Sequence, residues 1–238
     1  LQALHRLLPL VEAVARRSAY LLLLIENPQA LDQLVKLCDA SSWIAERLTK
    51  HPALLDELIN PASLYHIPTQ IELAQELRQH MLRIEPNDLE AQMEGLRYFR
   101  WAQALKIAAC EVADILPLMR VSDCLTYLAE VVVDYAYNLA KDDLIAKHGS
   151  PAGTQPLPFA IVAYGKLGGL ELSHGSDLDL VFLHQSDITA LTDGPKPIEA
   201  AVFYPRLAQK LIHILSTNTA SGQLYEVDVR LRPSGNSG

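Results

Sequence analysis

The sequence predicts an α+β fold, with an all-helical N-terminal region followed by a β-sheet with flanking helices. Three observations carry the prediction. Apolar residues recur at helical spacing through residues 1–148. A turn-rich stretch, His148-Gly149-Ser150-Pro151-Ala152-Gly153, then changes the composition. Beyond it, short strand-like runs surround a single long helical one.

In the first region Asn27-Pro28, Ser41-Ser42, His51-Pro52, Asn60-Pro61 and Ile67-Pro68 interrupt the periodicity, so many short packed helices are expected. Two longer helices follow, one opening near Asn87-Asp88 and running to about Ala113, the other starting with Ser122 as N-cap and continuing to about Lys147. Together they are expected to form an antiparallel pair. The turn-rich stretch divides a helical region, 1–148, from a second domain, 149–238. There, 159–164 and 177–184 read as strands, 185–197 as a polar loop, 198–216 as a helix and 224–231 as a third strand.

Bulk properties narrow the function. At 238 residues, half of them apolar, the chain can build a sizeable core in one or two domains. Its longest apolar run, 19–25, is far too short to cross a bilayer and no signal-peptide pattern opens the chain, so a cytoplasmic protein with no membrane partner is expected. A start at Leu1 and an end just after a strand-like run point to a piece of a longer protein. The net charge of -8 argues against broad nucleic-acid binding, which needs basic surface to displace counterions. Cys38, Cys110 and Cys124 form no CxxC pair, so buried free thiols are expected rather than zinc or disulfides.

The chemistry concentrates in Ser173-His174-Gly175-Ser176-Asp177-Leu178-Asp179-Leu180-Val181-Phe182-Leu183. Period-two alternation sends Asp177 and Asp179 to one face and Leu178, Leu180 and Phe182 to the other. Two like charges held that close make physical sense chiefly around a divalent cation. A calcium loop of the EF-hand type is excluded, because Val181 and Phe182 stand where that loop needs an oxygen ligand and a glycine. Upstream, Gly165-Lys166-Leu167-Gly168-Gly169 follows the first strand, where glycines let the backbone approach a bulky anion. It has neither P-loop nor GxGxxG order, and by itself such a glycine pair is most often an ordinary turn. Downstream, alternation in Leu224-Tyr225-Glu226-Val227-Asp228-Val229-Arg230-Leu231-Arg232 gathers Glu226, Asp228, Arg230 and Arg232 on one face. If this strand lies beside the Asp177 strand, Asp228 completes a triad of carboxylates, and Arg230 or Arg232 offsets their charge or holds a phosphate. Surface salt bridges are the plainer reading of the same face.

A glycine-rich turn, a strand with two alternating acids and a third acid on a later strand together resemble the nucleotidyltransferases of DNA polymerase β type. More closely, GKLGG-x-ELS-x-GSDLDLVFLH and SGQLYEVDVRLRPSG resemble the bifunctional glutamine synthetase adenylyltransferase/adenylyl-removing enzymes, and the resemblance extends to ARRSAYLLLLIENP, LTKHPALLDELINP and VSDCLTYLAE. Those enzymes carry two related nucleotidyltransferase domains. The third-strand motif is like that of the C-terminal, AMP-attaching copy, so the resemblance implies the connector plus the core of that domain, without the family's further C-terminal helical region. It implies a nucleotidyltransferase-type sheet and transfer of AMP from ATP to a tyrosine of glutamine synthetase, with the PII signal protein regulating the full-length enzyme. Asp177, Asp179 and Asp228 would hold Mg²⁺ or Mn²⁺, Gly168 and Gly169 would cradle phosphate, and Lys166, Ser176 and Arg230 are further candidates for contact with the nucleotide. Ser176 equally suits a turn cap, and His174 and His184, whose spacing fits no metal motif, suit structural or solvated roles. Phosphorolytic removal of AMP is the rival within the family, because the same three acids serve either direction. A glycosyltransferase is disfavoured, since there the apolar run usually precedes the acids, and a non-catalytic, nucleotide-sensing helical module remains the alternative of a different class.

Overall fold

A computed structural model describes residues 2–15, 17–151, 158–185, 187, 189–219 and 221–230. Contacts divide the chain into two compact units, Leu1–Leu128 and Ala129–Gly238.

The first unit is helical, and its breaks follow local chemistry. In order come α1 (Gln2–Val14), α2 (Ser18–Glu26), α3 (Pro28–Ala40), α4 (Ser42–Lys50), a 3₁₀ segment (Pro52–Leu58), α5 (Pro61–Leu64), α6 (Gln70–Met81) and α7 (Leu89–Val112). Pro28, Pro52 and Pro61 each open an element, where the missing N–H costs nothing. The Ser41 side chain accepts the Ile44 N–H, and Asn60 accepts from Ala62 and Ser63. Thr69 and Glu72 form a reciprocal capping box, and Asp88 caps α7 through the Ala91 N–H. Leu37, Ile44, Leu48, Leu54, Leu55, Leu58, Leu64 and Leu105 bury themselves in one apolar cluster. All three cysteines are free and buried, as expected. Burial pushes the Cys38 and Cys110 thiols up to about 11, so both stay protonated at neutral pH.

Helix α8 (Leu118–His148) departs from expectation at its start. Ser122 lies inside the helix rather than capping it, because Pro117 already sets the first turn, its carbonyl accepting from Arg120 and Val121. Ser122 has a cap's chemistry, but it stands a turn too late.

The second unit carries the sheet, and the α+β expectation holds. After the rest of α8 come β1 (Phe159–Ala163), a one-turn α9 (Gly165–Gly168), β2 (Leu178–His184), α10 (Ala200–Ser216) and β3 (Val227–Asp228). The sheet is mixed, in the order β1-β2-β3. β1 runs antiparallel to β2 with Phe159 opposite His184 and Ala163 opposite Leu180, whereas β3 runs parallel to β2. The parallel pair requires a crossover, which α10 supplies. Leu178, Leu180, Phe203, Leu207, Leu211, Ile214 and Leu215 are buried in this unit. Phe159 stacks with Tyr137 of α8 at 5.6 Å and with Tyr204 of α10 at 6.2 Å, and His184 stacks on Tyr204 at 4.5 Å.

The third strand is shorter than the 224–231 expected. Leu224 and Tyr225 are both buried, which breaks the alternation, and the Tyr225 N–H is spent on the Leu215 carbonyl at the end of α10. Just past β3 the Arg230 N–H donates to Asp228 Oδ1 at 2.9 Å, a side-chain turn that ends the extended run, and Val229 is exposed. Arg232, expected on the same face, lies outside the described residues.

A glycine-to-glycine contact clips the end of α8 to the loop before α10. Gly149 adopts φ +75 and donates to the Ile145 carbonyl, the left-handed termination that favours glycine. Gly194 donates to the His148 carbonyl, and a Cβ on Gly194 would overlap the Gly149 backbone nitrogen. Gly194→Ala is therefore expected to lower stability by about 2 kcal/mol, measured as a shift of the urea midpoint at unchanged m-value. Among the described residues no helix is long and apolar enough to cross a membrane.

Candidate active site on the β2–β3 face

β2 sorts its residues by face. Leu178 and Leu180 are buried, Asp179 between them is half-buried, and Asp177, just ahead of the strand, is exposed. Because β3 is parallel, register partners project to the same face, and the pairing puts Leu178 opposite Val227 and Asp179 opposite Asp228. Two carboxylates carried by distant parts of the chain are thus placed side by side on adjacent strands, and Asp177 precedes the first of them by two residues. Directly opposed like charges destabilise a sheet, so this face carries an electrostatic cost that only a cation offsets. Among the described residues no three acidic, histidine or cysteine side chains are already closed around a point that a metal ion would occupy.

The cation present on that face belongs to the protein. Arg230 reaches back to Asp228 with Nε on Oδ1 at 2.9 Å and Nη2 on Oδ2 at 2.7 Å, a two-pronged pairing. The guanidinium side chain is 70% exposed, whereas that of Asp228 is only 17% exposed, so the arginine lies over the acid from the solvent side. This contact with Asp228 raises the Arg230 pKa further. Both oxygens of Asp228 are therefore engaged by the guanidinium.

The turn between β1 and β2 sits directly on Asp179. Tyr164 donates its N–H to the Asp179 carbonyl at 2.9 Å, joining the end of β1 to the acid-bearing residue. Gly165 then adopts φ +54, and a Cβ there would overlap Asp179 Oδ2, so the carboxylate rests against bare backbone. The sequence reading placed Gly165 in the glycine turn but assigned it no part in the site. Its signal is a glycine at the residue joining a strand end to a helical turn, where a left-handed φ is needed.

Gly168 and Gly169 are exposed, and both amides are used inside the turn, donating to the Tyr164 and Gly165 carbonyls at 2.9 Å. What these two glycines offer a ligand is close approach rather than free N–H groups. At Gly168 a Cβ would stand 2.6 Å from the Ala163 carbonyl oxygen. Lys166 is exposed on the same turn. Ser176 spends its hydroxyl within the next turn, accepting the Ser173 N–H at 3.0 Å and pairing with the Ser173 hydroxyl at 2.9 Å. That is the capping role; its backbone N–H donates to the Ser173 carbonyl at 3.1 Å. His184 is occupied by its stack on Tyr204.

The donor set suits a hard divalent cation. Carboxylate oxygens are what magnesium and manganese take, and an arginine laid over one of the paired acids marks where positive charge is wanted. The profile of the family described as glutamate-ammonia ligase adenylyltransferase matches residues 31–238. Proteins named bifunctional glutamine synthetase adenylyltransferase/adenylyl-removing enzyme are similar over nearly the whole chain. The one from Pseudomonas syringae pv. tomato is 58% identical over 99% of this chain and 24% of its own length. Those from Pseudomonas putida and Hahella chejuensis are 57% and 52% identical, over 99% and 98% of this chain and 24% and 25% of theirs. The chain thus spans about a quarter of the length of these relatives.

Proposed function

The chain belongs to the glutamate-ammonia ligase adenylyltransferase family, and from that premise we propose that it transfers AMP from ATP to a tyrosine of glutamine synthetase in the cytoplasm. In this reading 149–238 form the nucleotidyltransferase core and 1–148 the connector ahead of it, within a longer protein that answers to the PII signal protein. The observation that carries the reading is the register pairing of Asp179 with Asp228.

Asp177, Asp179 and Asp228 would hold Mg²⁺ or Mn²⁺. When bound, the ion supplies Lewis-acid neutralisation of the triphosphate and of the departing pyrophosphate. The protein's own groups do the rest. Arg230 leaves Asp228 for a phosphate oxygen, exchanging one two-pronged anion for another. Asp228, freed of the guanidinium, takes the proton of the attacking phenol, whose ordinary pKa is about 10. The phenol oxygen forms a bond to the α-phosphorus as the bond from that phosphorus to the pyrophosphate oxygen breaks. Gly168 and Gly169 let the triphosphate lie close along the turn, and Lys166 adds positive charge there. Ser176 shapes the turn that delivers Asp177.

Incubation with α-labelled ATP, Mg²⁺ and unmodified glutamine synthetase is expected to place label on glutamine synthetase and to release pyrophosphate. The opposite result is labelled ADP appearing only when pre-labelled, AMP-modified glutamine synthetase is incubated with phosphate. That outcome would replace this reading with AMP removal.

A further inference from the structure

The first unit contains a cluster of cations and indoles that the proposed chemistry does not use. Trp43, Arg47 and His51 recur at helical spacing along α4 and its C-terminal cap, and Arg100 and Trp101 are adjacent on α7. The guanidinium carbons of Arg47 and Arg100 lie 4.6 and 3.7 Å from the centre of the Trp101 ring. Arg47 also lies over Trp43 at 5.8 Å, and His51 stacks on Trp101 at 5.5 Å.

Two features of the cluster are unusual for a purely structural stack. The first is its donors. Arg47 Nε and Trp101 Nε1 are both buried with no acceptor in reach, and Trp101 as a whole is only 7% exposed. Buried donors are nearly always paired, so two orphans in one cluster point to an acceptor that completes it. The second is charge. Burial and then the nearby Arg100 lower the Arg47 pKa, with Glu46 opposing weakly. Burial also lowers that of His51, followed by the positive charges of Arg47, Lys50 and Arg100, with Glu94 acting the other way last. Among the charges acting on His51, the cations thus outweigh Glu94.

We propose that Arg47 and Trp101, with Arg100 beside them, form a binding site for a small oxyanion, the phosphate or carboxylate group of a soluble effector. The guanidinium fork provides charge and paired donors, the indole N–H provides a third donor, and the aromatic walls exclude water so that each contact is strong. A carboxylate or phosphate carries enough acceptor oxygens to serve several such donors.

The chain has two tryptophans, Trp43 and Trp101, and both belong to this cluster, so intrinsic fluorescence reports on the site directly. Inorganic phosphate and acetate are titrated separately into the full chain at constant ionic strength, with chloride as the reference salt. A saturable change in tryptophan emission with either probe, absent with chloride, is expected, and the probe that produces it identifies the anion class. Arg47→Gln is expected to weaken the binding at least tenfold while leaving the far-ultraviolet circular dichroism unchanged. Should Arg47→Gln fail to fold, Arg47→Lys keeps the charge and removes the fork, and a several-fold weaker affinity is expected. A response no different from chloride, or binding of equal strength in whichever variant folds, would overturn the proposal and leave the cluster a structural stack.

Discussion

Asp179→Asn is expected to slow AMP transfer by about three orders of magnitude, equivalent to about 4 kcal/mol of transition-state stabilisation, while leaving the protein as stable as before or more so. The two halves of this result come from one feature. Asp179 is the register partner of Asp228 on adjacent parallel strands, so the wild-type sheet holds two carboxylates opposite each other. Removing one charge abolishes the pair's capacity to hold a divalent cation and at the same time relieves their repulsion. An acid kept for structure would behave in the opposite way, with stability falling and the rate following only in proportion to the unfolded fraction. Initial rates with Mg²⁺ and ATP, set beside the thermal midpoint of each variant, separate the two. Asp177→Asn is expected to show the same loss of transfer with the fold intact, since Asp177 is exposed and is the second acid proposed to hold the ion.

Gly165→Ala is expected to damage both stability and activity, the former by about 2 kcal/mol. The new methyl meets two obstacles: the backbone sits at φ +54, where alanine is strained, and the Cβ overlaps Asp179 Oδ2. The carboxylate must swing off its seat. A double-mutant cycle with Asp179→Ala divides the effects, because the truncation removes the clash and leaves the strain. The combined variant is expected to be more stable than the sum of the single changes predicts. Strict additivity would mean that Gly165 does not seat Asp179.

Much of this was legible in the sequence because it rests on local chemistry. Pro28, Pro52 and Pro61 open elements where they stand, and Asn60, Thr69 and Asp88 cap as their side chains allow. The alternation of Asp179 against Leu178 and Leu180 survives, because those two leucines are buried, and it fades at Phe182, which is half-buried. Ser122 failed as a helix start because Pro117, more than a turn earlier, acts first. The extent of β3 was not legible, since the end of α10 takes the Tyr225 N–H and the Asp228 side chain turns the chain at Arg230. The closure of Arg230 on Asp228 was visible only as a choice between offsetting charge and binding phosphate. The contact of Gly165 with Asp179 depends on how the turn folds back over β2, and no spacing rule encodes it.

The most direct test is a crystal of the protein with ATP and Mn²⁺, recorded for the anomalous signal of manganese. The account predicts manganese density bounded by Asp177, Asp179 and Asp228, with the Arg230 guanidinium moved from Asp228 to a phosphate of the nucleotide. Manganese bound elsewhere, or nucleotide bound while Arg230 still grips both oxygens of Asp228, would contradict it.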